Sequence, residues 1–592
     1  MRLRKPVEIQ YDSIKELMEA TCNKHSDRTA FIIKHKVHRS VSYEYITYEK
    51  FLNDIYAFCA YLRTQGLRNE RIAITGANSY EWMVAYFAAQ FDGHIAVPID
   101  KELRKSEMEM SLRESNTTVV VYGRKLENQV LDIIGCGCGV KAAICMEQSE
   151  HKPDVRACID ECRKYVDAMK GDFVPKTPDE LSVLLFTSGT TSNAKAAMLS
   201  NRNITSNVYG LTMHLVDVIK PDDVNLALLP FHHTFGSVGT TFMLSRGSTT
   251  VFCDGLKYLA DNLVEYKVSV FIAVPLLFEA MYNKIIKTAE KSGKLGLLRK
   301  MIAFSNGLLK VGIDVRRKLF GSILEPLGGA LRLAVVGAAP SDPEIFGFFR
   351  SIGIDTLQGY GLTETSPVLT AEKLTHQRAG SVGLPLPGVS IRIDGVDENG
   401  IGEVLAKGPN VMIGYLRDED NEGVFTNGWF RTGDLGYIDE DGFLFLRGRK
   451  KNVIVLKNGK NVYPEELEEV LASALPDASE ILVFGWQKDD DLLVSANFVF
   501  EESYIEEYGR RYLEEHGQNM TMEQRLEHCR SVGEDALKKH IYSVIAEVNT
   551  TLPPYKIIKR LLLSTEPMVK TSTGKVRRPF VIPDLCRRSD NF

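Results

Sequence analysis

The sequence predicts an α/β protein whose mostly parallel sheets are covered by helices, followed by a compact β unit and a small α+β domain. Three observations predict it. Through the first 370 residues, short β-branched runs alternate with longer amphipathic stretches, the pattern of strands joined by crossover helices. After about Gly383 the texture changes to short strands with glycine-rich turns between them. From Arg447 to Lys451, four of the five residues are basic and the fifth is glycine, and a new strand and helix begin after them. A domain boundary is placed there.

Each element follows from its residues. "RIAITGAN" (Arg71 to Asn78) is a strand, and the helical pattern "SYEWMVAYFAAQFDG" follows it. "TTVVVYG", "NLALLP", "TTVFC", "SVFIAV" and "LRLAVVGAA" are further strands. The richest apolar run, "VSVFIAVPLLF" from Val268 to Phe278, is interrupted by Pro275. It falls short of the roughly 20 residues a membrane span needs, so it reads as a buried strand running into a helix. "VSIRI", "GEVLAKG" and "GFLFLRGR" form the β unit. Residues 501–540 are charged and helical, and read as a solvated insertion in the last domain.

Bulk composition narrows the function. A chain of 592 residues exceeds one ordinary domain. With 44% hydrophobic and 25% charged residues it has a globular composition. A net charge of −5 argues against nucleic-acid binding. Ten cysteines in so long a chain do not make a disulfide framework. Cys136 and Cys138 in "GCGCG" have no second pair at zinc-ligand spacing. The N-terminal stretch has basic residues but no apolar h-region, so no secretory signal is read. A reduced, cytoplasmic location is expected.

The stretch "FTSGTTSNAKAAMLS" points to chemistry. A strand runs into a loop in which hydroxyl residues surround Gly189 and Lys195 follows. It is not a Walker A sequence, but the physics is shared. Glycine lets backbone N–H groups approach, hydroxyls can bond phosphate oxygens, and a lysine offsets charge as phosphate leaves. Four further stretches follow in order. "QGYGLTETSP" begins at Gln358, and its Glu364, between two threonines, suits Mg²⁺. In "WFRTGDLGYIDEDG", Asp434 sits in a glycine-flanked turn suited to a ribose diol. "GRKKNVIVLKNGKNVYPEE" and "KTSTGKVRRP", with Lys575 in a turn near the end, complete the set.

Together these five motifs, in this order over nearly the whole chain, resemble the adenylate-forming (ANL) superfamily of acyl-CoA synthetases, firefly luciferase and peptide-synthetase adenylation domains. "LPFHHTFG", "GLPLPGVSIRI" and "GKNVYPEELE" resemble most nearly the AMP-forming long-chain fatty-acid–CoA ligases. The resemblance implies a large N-terminal domain (1–446) of two α/β subdomains plus a β unit. It further implies a hinge at 447–451, with Lys451 at the family's hinge position, and a small mobile α+β C-terminal domain (452–592). It carries Thr187 and Glu364 over as the Mg²⁺–ATP ligands. Ser188, Gly189, Thr190, Thr191 and Lys195 become the pyrophosphate-side loop. Gly337, Ala338, Ala339, Gln358, Gly359, Tyr360 and Thr363 become the adenine and α-phosphate contacts. Asp434 and Arg449 become the ribose contacts, and Lys575 the lysine that promotes adenylation. This loop departs from the family pattern at Ser192, Ala194 and Ala196, where glycine, proline and glycine are usual. Less glycine predicts a stiffer loop.

The implied reaction converts a carboxylate to an acyl-AMP and passes the acyl group to a thiol, with ATP, Mg²⁺ and CoA as cosubstrates and cofactor. The stretch around His232, His233, Phe235 and Gly236 lies where the family builds its acyl pocket. It carries no acid to hold an α-ammonium, so an amino-acid substrate is disfavoured. Gly361 stands where acetyl-CoA synthetases place a tryptophan, so glycine is expected to leave the pocket open. At about 0.8 kcal/mol per buried CH₂, an open pocket favours a medium- to long-chain fatty acid. The basic tail (Arg577, Arg578, Arg587, Arg588) suits CoA phosphates, an acidic acyl carrier protein or anionic lipid heads at a peripheral membrane contact. Two alternatives stay open at this point. One is a ligase that stops at acyl-AMP or serves a carrier protein, and the other is a non-catalytic nucleotide- or acyl-binding relative.

Overall fold

The computed structural model describes residues 11–37, 40–187, 194–216, 218–339, 342–457, 460–488, 491–516, 522–570 and 575–588. The larger part is built on two mostly parallel sheets. One has seven strands in the order Gly414–Tyr415, Ala196–Ser200, Leu181–Phe186, Ile95–Pro98, Arg71–Thr75, Val119–Tyr122, Ala142–Cys145. The other has nine, and its parallel centre runs Asp355–Gly361, Leu333–Val336, Val270–Ala273, Val224–Ala227, Thr249–Phe252, Thr29–Val37. Antiparallel strands close both of its edges. Every strand read from the first 370 residues is present.

Alternation within each strand explains the layering. In the seven-stranded sheet Ile72 and Ile74 enter the main core while Ala73 faces a second one. In the nine-stranded sheet Val270 and Ile272 enter that same main core while Phe271 and Ala273 face a third. The helices Tyr48–Thr64 and Tyr80–Phe91, buried on nearly every face, contribute to the main core that both sheets share. Such all-round apolar helices belong between layers rather than at a surface. Val268 to Phe278 is indeed a buried strand running into the helix Pro275–Lys291.

An antiparallel unit follows, with Ser390–Asp394, Gly402–Lys407, Trp429–Ile438 and Phe425–Thr426 in order and Leu444–Arg449 paired to Trp429–Ile438. A 3₁₀ turn over Lys450–Asn452 leads out of it. Beyond lie the strands Glu480–Lys488, Asp491–Val499 and Arg560–Ser564 in one sheet, with helices Pro464–Ala474, Glu502–His516, Met522–Thr551 and Arg578–Arg587. The reading of 501–540 as a solvated insertion needs correction. Ile505, Leu537, Ile541 and Ile545 are buried and share the core of this part with Leu467 and Phe498. The charged residues made the hairpin look wholly wet, but its apolar residues recur at helical spacing and face the sheet. None of the ten cysteines forms a disulfide among the described residues. Among the described residues no helix is long and apolar enough to cross a membrane.

Candidate active site

The parallel strands of an α/β sheet deliver their following loops to one edge, where ligands bind. Here Leu333–Val336 leads to Gly337, Ala338 and Ala339, Asp355–Gly361 contains Gln358, Gly359 and Tyr360, and Val224–Ala227 leads towards His232 and His233. Ala338 adopts a left-handed φ of 72°, a strained conformation for a residue with a side chain. Gln358 is held from behind: its N–H donates to the Glu372 carboxylate at 2.9 Å, and the Glu372 N–H donates to the Gln358 carbonyl. Burial raises the pKa of Glu372. Thr363 and Glu364 share a short 3₁₀ turn.

The antiparallel unit supplies a second group. Asp434 and Arg449 are cross-strand partners, and the Arg449 Nε lies 2.9 Å from the Asp434 Oδ1. The Tyr360 hydroxyl donates to the Asp434 Oδ2 at 2.6 Å. Burial first, and then Asp434, raises the Tyr360 pKa, so the hydroxyl stays protonated and donates. Tyr360, Asp434 and Arg449 are therefore one preformed constellation assembled from two sheets.

Lys575 reaches the same place from the far end of the chain. It keeps contact with solvent, yet protein surrounds it enough that burial lowers its ammonium pKa. Nearby Arg449 lowers it further, while Asp434 and Glu364 oppose the shift. The cleft thus holds Lys575 within electrostatic reach of both carboxylates. His233 joins it: burial, His232 and Lys575 together pull the His233 pKa down to about 3. The His232 Nε2 lies 3.5 Å from the Asp100 Oδ2. Lys451, in the 3₁₀ turn, has its pKa lowered by burial and Arg449.

The loop with the hydroxyls is closed at its neck, where the Thr187 N–H donates to the Lys195 carbonyl at 2.7 Å. Ser188, Gly189, Thr190 and Thr191, with Ser192, lie outside the described residues. The Lys195 Nζ rests 3.4 Å from the Asp420 Oδ1 and 4.8 Å from the centre of the Tyr415 ring. The Tyr415 hydroxyl in turn donates to the Glu364 Oε1 at 2.6 Å. Tyr415 and Asp420 therefore tie Lys195 to Glu364. Neither stood out in the sequence, because a tyrosine in "GYLRD" carries no local signal of what it faces.

One oxygen of Glu364 is engaged by Tyr415, which leaves the other for a cation. A single carboxylate completed by phosphate oxygens and water is a donor set that fits Mg²⁺. Among the described residues no cluster of three histidine, cysteine or acidic side chains is placed to hold a metal, and Cys136 and Cys138 form none.

Backbone packs close against both acyl-pocket glycines. A β-carbon on Gly361 would stand 1.8 Å from the Pro367 carbonyl oxygen, and one on Gly236 would stand 2.2 Å from the Pro230 oxygen. Both positions are glycine because backbone passes close by, which composition could not reveal. At Gly361 this packing requirement stands beside the expectation that glycine leaves the pocket open. What exists beside Phe235 and Gly236 is a niche of about 10 Å³, lined by Leu226, Leu228, Thr240 and Ile272 among others. The Phe235 ring packs within about 3.5 Å of where a Gly337 side chain would begin. No carboxylate lines the niche.

A cleft at the carboxyl edge of parallel strands, joined by a carboxylate–arginine pair and a lysine from a small C-terminal part, defines a nucleotide-handling class of α/β protein. The chain belongs to the AMP-binding enzyme family, whose model matches residues 18–416. Mouse "Long-chain-fatty-acid--CoA ligase 6" is 31% identical over 445 residues, 70% of this chain and 63% of that protein. FadD15, a "Long-chain-fatty-acid--CoA ligase" of Mycobacterium bovis, is 30% identical over 458 residues, covering 74% and 75% respectively. The match therefore spans less than two thirds of the mouse relative. Among solved structures, ATP-bound MatB of Rhodopseudomonas palustris shares the fold, with a TM-score of 0.71 at 22% identity over 97% of this chain and 99% of that one. The anthranilate CoA ligase AuaEII in complex with anthranoyl-AMP does too, with a TM-score of 0.73 at 19% identity, covering 98% of each chain.

Proposed function

We propose that this protein activates a medium- to long-chain fatty acid with ATP and transfers the acyl group to the thiol of CoA. The observation that carries the reading is the convergence of Lys575, Arg449, Asp434, Tyr360 and Glu364 on one cleft. Those residues come from three parts of the fold that together span more than 200 positions. Long-chain-fatty-acid–CoA ligase relatives support the choice of acid.

The chemistry follows from charge. A carboxylate is a poor acyl donor because oxide is a poor leaving group. Attack of its oxygen on the α-phosphorus of ATP forms the acyl–phosphate bond and breaks the bond to pyrophosphate. Negative charge builds on phosphate oxygens, so catalysis is positioning and field. Lys575 places an ammonium at the α-phosphate, and Lys195 offsets charge on the departing pyrophosphate once it leaves Asp420. Asp434, with both oxygens oriented by Tyr360 and Arg449, accepts from the ribose hydroxyls. Glu364 and Thr187 would hold Mg²⁺, which supplies further charge neutralisation. The thiol then attacks the acyl-adenylate carbonyl and AMP departs. Lys575 is not needed in that step, and we assign Lys450–Asn452 as the hinge that withdraws it.

Carboxylic-acid-dependent ATP–pyrophosphate exchange and AMP release, screened across acids with CoA present and absent, test the reading. Exchange that rises with chain length, with AMP release that needs CoA, supports it. No exchange with any fatty acid defeats it.

A further inference from the structure

The helical segment that leaves the niche carries a surface feature unrelated to nucleotide chemistry. The strand Val270–Ala273, whose Ile272 lines the niche, runs directly into the helix Pro275–Lys291, and the helix Leu295–Lys310 follows. The inner faces of this pair pack on one core through Phe278, Leu298, Tyr282 and Met301. The outer face of the second helix is left bare. Leu297, Phe304 and Val311, spaced by seven residues, are 57%, 61% and 71% exposed, and Ile313 beyond them is 51% exposed. Residues seven apart lie on one side of a helix, so Leu297, Phe304 and the C-cap residue Val311 make an apolar strip about 21 Å long.

Charge surrounds the strip. Residues 275–319 contain ten lysines and arginines against Glu279, Glu290 and Asp314, a net +7 in a chain whose total is −5. Arg316 is engaged by Asp314 and Asp355, Arg317 by backbone carbonyls, and Lys287 lies 3.8 Å from Asp477. Lys284, Lys291, Lys294, Arg299, Lys300 and Lys310 make no ion pair among the described residues. An apolar strip rimmed by unneutralised cations fits a surface that is negative outside and hydrocarbon within. Self-association through the same face would set +7 against +7.

We propose that the outer face of residues 295–313 docks on an anionic lipid bilayer, with Leu297, Phe304 and Val311 entering the headgroup boundary. This goes beyond the enzymatic reading and holds or fails separately from it, because binding is measured without ATP or acid.

The test is co-sedimentation of the full chain with phosphatidylcholine–phosphatidylglycerol vesicles and with phosphatidylcholine vesicles alone. Wild type is expected on the anionic vesicles, with binding that weakens as salt rises. Replacing Lys291, Arg299, Lys300 and Lys310 together by glutamine should weaken partition roughly 100-fold or more. Leu297→Ser with Phe304→Ser should weaken it at least about tenfold. All these side chains are exposed, so an unchanged melting temperature verifies that each variant folds. Three results would overturn the proposal. These are no binding to anionic vesicles, equal binding to phosphatidylcholine alone, and binding that survives both variants. Sedimentation velocity covers the remaining occupant: a dimer that Leu297→Ser with Phe304→Ser dissociates would mark the face as a self-interface and overturn it too.

Discussion

At Gly361 a β-carbon would fall 1.8 Å from the Pro367 carbonyl oxygen. Gly361→Ala therefore forces apart two strands beside Glu364, and a cost of at least about 1–3 kcal/mol in unfolding free energy is expected. Chain-length preference among the surviving molecules should not change. A stable Gly361→Ala protein with shortened acyl preference would return the glycine to the pocket. His233 makes a second residue-scale prediction. Its pKa in the folded protein is about 3, against an ordinary 6.5. Between those values the unfolded chain takes up a proton that the folded one does not, so stability falls as pH drops through that window and is level above it. The imidazole is neutral at physiological pH. Adenylation should therefore show no limb near pH 6.5 that His233→Gln removes, and finding such a limb in the pH–rate profile would contradict the burial argument.

The element that matters most is the 3₁₀ turn over Lys450–Asn452, which separates Arg449 in the ribose constellation from the part carrying Lys575. A 3₁₀ residue has φ close to the value proline imposes. Lys451→Pro is thus compatible with the arrangement in which Lys575 faces Asp434 and Glu364, although Lys450 before it bears a modest strain. The turn should then be held in this state. ATP–pyrophosphate exchange is expected to persist while thioester formation from acyl-adenylate and CoA drops at least about tenfold. Wild-type rates in both half-reactions would move the hinge away from Lys451.

At the scale of the whole molecule, much is legible in the sequence alone. Short apolar, β-branched runs such as "RIAIT" and "SVFIAV" identified the strands, because buried parallel strands are written as short apolar blocks. Asp434, Arg449, Glu364 and Lys575 were legible through motif order. Their coupling was not, since Tyr415 and Asp420 reach Glu364 and Lys195 only through folding over 50 and 220 positions of chain. The close backbone beside the glycines at 236 and 361 was not legible either, since a neighbouring backbone is invisible in a sequence. The helical hairpin after Glu502 looked solvated because its few buried residues are diluted by charge.

The central claim is that Lys575 acts on developing phosphate charge in the first half-reaction and in no other. The direct measurement compares Lys575→Ala with wild type in the two half-reactions separately, fatty-acid-dependent ATP–pyrophosphate exchange and thioester formation from supplied acyl-adenylate with CoA. The account predicts a loss of about 100-fold or more in exchange with thioester formation within about threefold of wild type. Equal loss in both half-reactions, or undiminished exchange, would contradict it.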